Sequence, residues 1–145
     1  MSMTQESLVA LLLSRGWRIV MELKDLPETR GTFAAESRGI SIQAISLTGY
    51  VLSIQAGEGL YSSPRRRADS YNQVEFAIWK TYDDLGSRTG PYIKDGRISR
   101  DGDQVYGFET FKTLLRAIEL IETWVLGNEP EISIHRNNAP YRDLN

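Results

Sequence analysis

Apolar and polar residues alternate in several short runs that follow one another along the chain with no helical segment between them. The clearest runs are residues 17–23, 40–44 and 74–79. Alternation with a period of two is typical of half-buried strands. Strands that follow one another without crossover helices pair antiparallel. The sequence therefore predicts an antiparallel sheet of about five to six short strands, with residues 104–108 as its last clear strand.

Two amphipathic segments flank these strands. The first contains Leu8, Leu11 and Leu12, begins at Ser2 or Thr4 as alternative caps, and ends before Gly16. The second, residues 109–126, carries apolar residues at spacings of three and four and is followed by glycine. The order helix, strands, helix predicts an α+β fold with an N-terminal helix and a long C-terminal helix.

Length and composition define the class of protein. The chain has 145 residues, which suits a single α+β domain over residues 1–145. Residues 132–134 are expected to form an edge strand, and residues 136–145 a flexible tail. The absence of cysteine and the single histidine exclude thiolate zinc sites, iron–sulfur clusters and a multi-histidine metal site within one chain. No metal or cofactor is predicted.

The charge pattern bears on partners and location. The formal net charge is −2, so no global field favours nucleic acid or an anionic membrane. No apolar run is long enough to span a bilayer. The first residues carry no basic segment typical of a signal peptide, so a cytoplasmic location is expected.

One segment contains side chains suited to binding an anion. Residues 62–67 read Ser-Ser-Pro-Arg-Arg-Arg, and Tyr61 precedes them. Arginine forks bind phosphate oxygens, hydroxyls donate to them, and a tyrosine can stack on a base. Residues 81–104 form either a mobile binding loop or a loop that hides a short hairpin around residues 94–97. The predicted ligand-binding residues are Tyr61, Ser62, Ser63, Arg65, Arg66, Arg67 and Tyr92.

The competing interpretation of this segment is a solvated basic loop between two strands. Glu75 follows soon after, within a strand, and is expected either to face solvent or to pair with an arginine of this loop. The acidic loop residues are expected to be solvated turn formers, with pairing to the arginines or to a sugar hydroxyl as the alternatives. They are Asp83, Asp84, Asp101 and Asp103. Asp101 and Asp103 resemble part of a calcium loop, but no glutamate follows at the required spacing. His135 lacks the partners of a catalytic triad and is expected to be a surface histidine. An exposed Trp124 and the edge strand at residues 132–134 are expected to support a homo-oligomer.

Three runs give the chain a resemblance to known proteins. They are LYSSPR at residues 60–65, VEFAI at residues 74–78 and VYGF at residues 105–108. This layout resembles that of small phage and prophage proteins of unassigned role. Phage anti-defence proteins that sequester cyclic nucleotide signals, such as those acting against Thoeris, are similar in size and general build. The resemblance implies a ligand-binding role without catalysis.

Two functions from different classes follow. The first is a non-catalytic binding module for a small phosphate-containing ligand, with a nucleotide signal as the favoured ligand, and the resemblance adds a phage anti-defence role. The second is a protein-interaction factor, an inhibitor or adaptor that binds a host protein, with the arginines and tryptophans as interface residues. An enzyme is the least favoured class, because the carboxylates, tyrosines and His135 form no recognisable acid–base pair.

Overall fold

A five-stranded antiparallel sheet forms the centre of the part of the chain that the computed structural model describes, which is residues 2–27, 35–100 and 105–130. The strands lie side by side in chain order, and each pairs antiparallel with the next. The predicted antiparallel sheet is confirmed. The strands are β1 (Arg18–Glu22), β2 (Arg38–Ile45), β3 (Tyr50–Gly57), β4 (Val74–Lys80) and β5 (Tyr106–Glu109).

The first helix, α1 (Gln5–Ser14), has a complete cap at each end. The Thr4 hydroxyl accepts a hydrogen bond from the Ser7 amide, and the Ser7 side chain completes the capping box. Thr4, rather than Ser2, is therefore the cap. Gly16 has a φ of +84°, which ends the helix as predicted.

The second helix, α2 (Phe111–Glu122), has 12 residues, so the prediction of a long C-terminal helix over residues 109–126 is wrong. It starts later because the Thr110 hydroxyl accepts from the Thr113 amide and caps it. It ends earlier because the Trp124 ring lies in the core, against Tyr50. The predicted terminal glycine, Gly127, belongs to the next turn, where residues 125 and 128 pair.

Both helices contribute to the main core on one face of the sheet. Alternate residues of β2, β3 and β4 point to this face, where Leu8 and Leu12 of α1 and Ile118 of α2 join them. A smaller cluster of Ile45, Val51 and Trp79 lies apart from it. In the described residues, no helix is long and apolar enough to cross a membrane.

Residues 81–100 contain a compact turn at residues 96–98. The short hairpin around residues 94–97, one of the two alternatives for this loop, is not formed in the described residues. The amides of Ile98 and Ser99 both donate to the carbonyl of Asp95. The buried Asp95 carboxylate accepts from Arg97, and the Asp95 amide donates to the Tyr106 hydroxyl. The bonds from residues three and four positions later to the Asp95 carbonyl form a helix-like turn, which differs from the two-residue turn that a hairpin needs. Asp101, Asp103, the edge strand expected at residues 132–134, His135 and the tail at residues 136–145 lie outside the described residues.

Candidate recognition surface

The connection between β3 and β4 is held by a buried serine. The Ser62 hydroxyl accepts from the Gly57 amide at 3.2 Å and donates to the Pro64 carbonyl at 2.8 Å. Its side chain is fully buried. The hydroxyl predicted to contact a ligand therefore organises the loop from within. Ser63 bonds to Gln73 and Asn72 through its backbone and is half-buried.

Tyr71 holds the arginine-bearing part of the same loop. Its hydroxyl donates to the Arg66 carbonyl at 2.7 Å and accepts from the Ala68 amide at 2.8 Å. Burial raises the pKa of Tyr71 above its ordinary value. A Cβ on Gly39 would lie 2.4 Å from the Tyr71 hydroxyl oxygen, so this position of β2 has no room for a side chain.

Tyr61, Arg65 and Phe108 meet on the surface and form a cluster, here called the aromatic–arginine platform. The Tyr61 and Phe108 ring centroids are 5.6 Å apart. The Arg65 guanidinium carbon lies 5.4 Å from the Tyr61 centroid and 5.8 Å from that of Phe108. The Tyr61 side chain is 51% exposed and that of Phe108 44%. Both rings are thus open to solvent and in contact with a cation.

The backbone at Phe108 has an unusual conformation. Its φ is +54°, in the left-handed region that bulky residues rarely adopt. The pairing of β4 with β5 shifts register between Val74 and Phe76, at the same point. The Phe108 amide donates to the Tyr61 carbonyl at 2.8 Å. The register shift between β4 and β5 therefore coincides with the position at which the Phe108 ring contacts Tyr61.

Glu75 supports the platform by accepting a hydrogen bond from the backbone of Tyr61. Its carboxylate accepts from the Tyr61 amide at 3.2 Å, and the residue is half-buried. Within the described residues, Glu75 therefore neither faces solvent fully nor pairs with an arginine of the loop, which were the two alternatives expected from the sequence; a backbone amide is its partner. Arg38, buried on β2, donates to the Gln55 side chain. Burial lowers the pKa of Arg38, and the charge of Glu75 opposes that shift.

The remaining predicted arginines and Tyr92 make none of the ring contacts that define the platform. Arg66 and Arg67 are exposed, and Arg67 lines a groove beside α1 together with Glu6 and Leu23. Tyr92 contacts the Trp79 ring, with a centroid separation of 5.8 Å. Trp79 comes four residues after Glu75 on β4, roughly 13 Å further along the strand. Tyr92 therefore does not share a site with Tyr61.

Phe108 is the residue of this surface that sequence reasoning missed. Gly107, directly before it, was the available sign, because a glycine inside a strand pattern often marks a bulge. The contact partner Tyr61 is far away in sequence, and no local pattern identifies such a pair.

Two further expectations bear on other kinds of site. The Asp83 carboxylate accepts from the Leu85 and Ser87 amides, as a turn former does. Its bonds with Ser87 lower the pKa of Asp83. Trp124 is only 1% exposed, so the expectation of an exposed tryptophan that supports an oligomer is wrong.

Comparison with known proteins yields no relative: no family model, no curated protein and no solved structure matches this chain. The resemblance to small phage proteins stays a prediction.

Proposed function

We propose that this chain is a non-catalytic binding protein whose aromatic–arginine platform recognises an acidic surface of a partner protein. The observation that carries the proposal is that two half-exposed rings are held in contact by Arg65 and by a left-handed backbone at Phe108. Rings and guanidiniums that are positioned before binding lose little conformational entropy when a partner arrives. Tyrosine, phenylalanine and arginine are also the residue types enriched at protein interfaces.

The loop's charge favours an acidic partner. Arg66 and Arg67 follow Arg65 directly and are exposed. Within the described ranges neither of their side chains has a hydrogen-bond or ion-pair partner. Carboxylates accept two parallel hydrogen bonds from a guanidinium, and such pairs add specificity. Partner binding should therefore weaken as the salt concentration rises.

The phosphate-containing ligand expected from the sequence is the competing candidate. Arg65 uses its Nε to bond the Leu60 carbonyl and one Nη to bond the Gly59 carbonyl. Its remaining N–H donors could still bind phosphate while a base stacks on Tyr61. Ser62 and Tyr92 are not available for that role. Both rings are about half exposed, whereas small-molecule sites bury most of the surface of their ligand.

The experiment compares variants of the platform with a matched variant elsewhere. Phe108→Ala removes one ring, Arg65→Gln removes the central charge, and Leu47→Ala removes an exposed apolar side chain at the tip of the β2–β3 turn. Each purified protein is used to capture partners from cell lysate, and the captured protein is then purified and titrated against each variant by calorimetry.

We expect a complex that re-forms from two purified proteins, survives Leu47→Ala and weakens at least about tenfold, or by about 1.4 kcal/mol, with Phe108→Ala or Arg65→Gln. A complex indifferent to both platform variants would overturn the proposal. So would a nucleotide that is released by heating the protein and whose rebinding requires Arg65, because that result would establish the competing candidate.

The proposed compartment is the cytoplasm, which suits a chain without cysteine.

A further inference from the structure

A pocket of about 320 Å³ opens at the opposite end of the sheet from the platform. It lies where β4 ends, between the loop around Pro91 and the turn that follows α2. Its volume is at the lower limit for small-molecule sites. The lining residues are Tyr50, Lys80, Tyr82, Gly90, Pro91, Ile93, Glu129 and Pro130.

The pocket's apolar lining is anchored in the core. Tyr50 and Ile93 are buried, and Tyr82 is exposed. The Tyr50 ring meets the Trp124 ring edge to face, with centroids 5.1 Å apart. Because Trp124 is itself buried, the Tyr50 wall is rigid. An apolar or aromatic group of a ligand would lie against it.

Lys80 supplies a positive charge whose position is fixed by a hydrogen bond and by a ring contact. Its ammonium nitrogen donates to the Thr48 carbonyl at 2.6 Å and lies 4.6 Å from the Tyr50 ring centroid. The Tyr82 ring centroid is 5.7 Å from the same nitrogen. An ammonium has three donors, so donors remain for a carboxylate in the pocket.

Glu129 supplies the opposite charge. It lines the same pocket, and its carboxylate interacts electrostatically with the Tyr50 hydroxyl. A ligand with only a negative group would meet Lys80 favourably and Glu129 unfavourably. A ligand with only a positive group would be attracted by Glu129 and repelled by Lys80. A molecule that carries both charges satisfies both residues.

We propose that this pocket binds a small zwitterion with an apolar side chain, of the α-amino acid class. Its carboxylate bonds to Lys80, its ammonium faces Glu129, and its side chain lies against Tyr50 and Ile93. This site is separate from the platform and does not depend on the function proposed above.

Three probes that share a phenylethyl skeleton and differ in which charged groups they carry test the proposal. They are phenylalanine, 3-phenylpropionate, which lacks the ammonium, and phenethylamine, which lacks the carboxylate. Each is titrated into the full chain by calorimetry, with tryptophan fluorescence as a second readout because Trp124 contacts Tyr50. We expect saturable binding of phenylalanine, and affinities for the other two that are lower by about tenfold or more. No saturable binding of phenylalanine, or equal binding of 3-phenylpropionate, would overturn the proposal.

Two variants assign the charges. Glu129→Gln should abolish the preference for phenylalanine over 3-phenylpropionate, and Lys80→Gln should weaken both. Glu119→Gln and Lys112→Gln, exposed on α2, are the matched controls and should change neither. Glu129 is exposed, so its variant should fold even if loss of the Lys80–Thr48 bond destabilises the other. An unchanged preference in Glu129→Gln would contradict the zwitterion assignment.

Discussion

Glu122 joins the end of α2 to the connection between α1 and β1. Its carboxylate accepts two hydrogen bonds from Arg15, at 2.6 and 2.9 Å, and one from the Trp17 indole at 2.8 Å. These bonds tie the end of α2 to the end of α1 and the start of β1. The hydrogen bond from Arg15 is the main cause that lowers the pKa of Glu122.

This lowered pKa makes part of the folding stability depend on pH. The folded-state pKa lies below the ordinary value of 4.5, so the contribution is complete above that value and is lost as the pH falls through the folded-state pKa. Glu122→Gln should cost about 1 kcal/mol at neutral pH, because the pair is partly exposed. It should also flatten the acid side of the stability profile. Urea unfolding at several pH values measures both, and Glu58→Gln, at an exposed residue after β3, should leave the profile as it is.

Ser62 and Ser63 are adjacent, yet the structure gives their hydroxyls different roles. Ser62→Ala should lower the free energy of unfolding by about 1–3 kcal/mol, because the buried Gly57 amide and Pro64 carbonyl lose their partner. Ser63→Ala should stay within about 0.5 kcal/mol of wild type. Chemical denaturation of the two variants side by side tests this difference. Equal costs would mean that the Ser62 bonds do not hold the loop.

At the scale of the elements, the irregularity in β5 and the platform depend on one glycine. A Cβ on Gly107 would lie 2.9 Å from the Tyr61 Cβ. Gly107→Ala should therefore displace the Tyr61 ring and cost about 1–3 kcal/mol. Nuclear Overhauser contacts between the Tyr61 and Phe108 rings should weaken or vanish. The stack of Phe76 on Tyr106, at 4.7 Å between centroids, serves as the internal control and should persist.

The strands and the first helix could be predicted because their patterns are local. Alternation within β4 spans a few residues, and so does the start of α1, where Thr4 was one of two possible caps. The end of α2 could not be predicted in this way, because the position of Trp124 depends on Tyr50, which lies in a different strand. The platform likewise needs Phe108 to meet Tyr61. The basic loop was identified from sequence. The hydrogen bonds of Ser62 within the loop, and the distance of Tyr92 from Tyr61, depend on the tertiary structure and could not be predicted from local patterns.

At the scale of the whole molecule, the sheet separates two different surfaces. The platform lies near the Gly57 end of β3, and the zwitterion pocket lies at its Tyr50 end. An eight-residue strand spans roughly 23 Å. Side chains of β3 are almost all buried along that length. Substitutions at the two ends should therefore act independently, since the free-energy changes caused by substitutions this far apart are usually additive.

The buried ring of Trp124 anchors the chain that follows α2 to the core. Its ring is buried against Tyr50, and its indole N–H has no hydrogen-bond partner in the described part of the chain. Trp124→Ala should cost about 3–5 kcal/mol, a large part of an ordinary domain's stability. Trp124→Phe should cost less than half as much, because it keeps most of the packing and removes an unpaired buried donor. Thermal and urea unfolding measure both changes, and size-exclusion chromatography of each folded variant should show the same oligomeric state as wild type. A variant of unchanged stability and altered oligomeric state would place Trp124 at an interface instead of in the core.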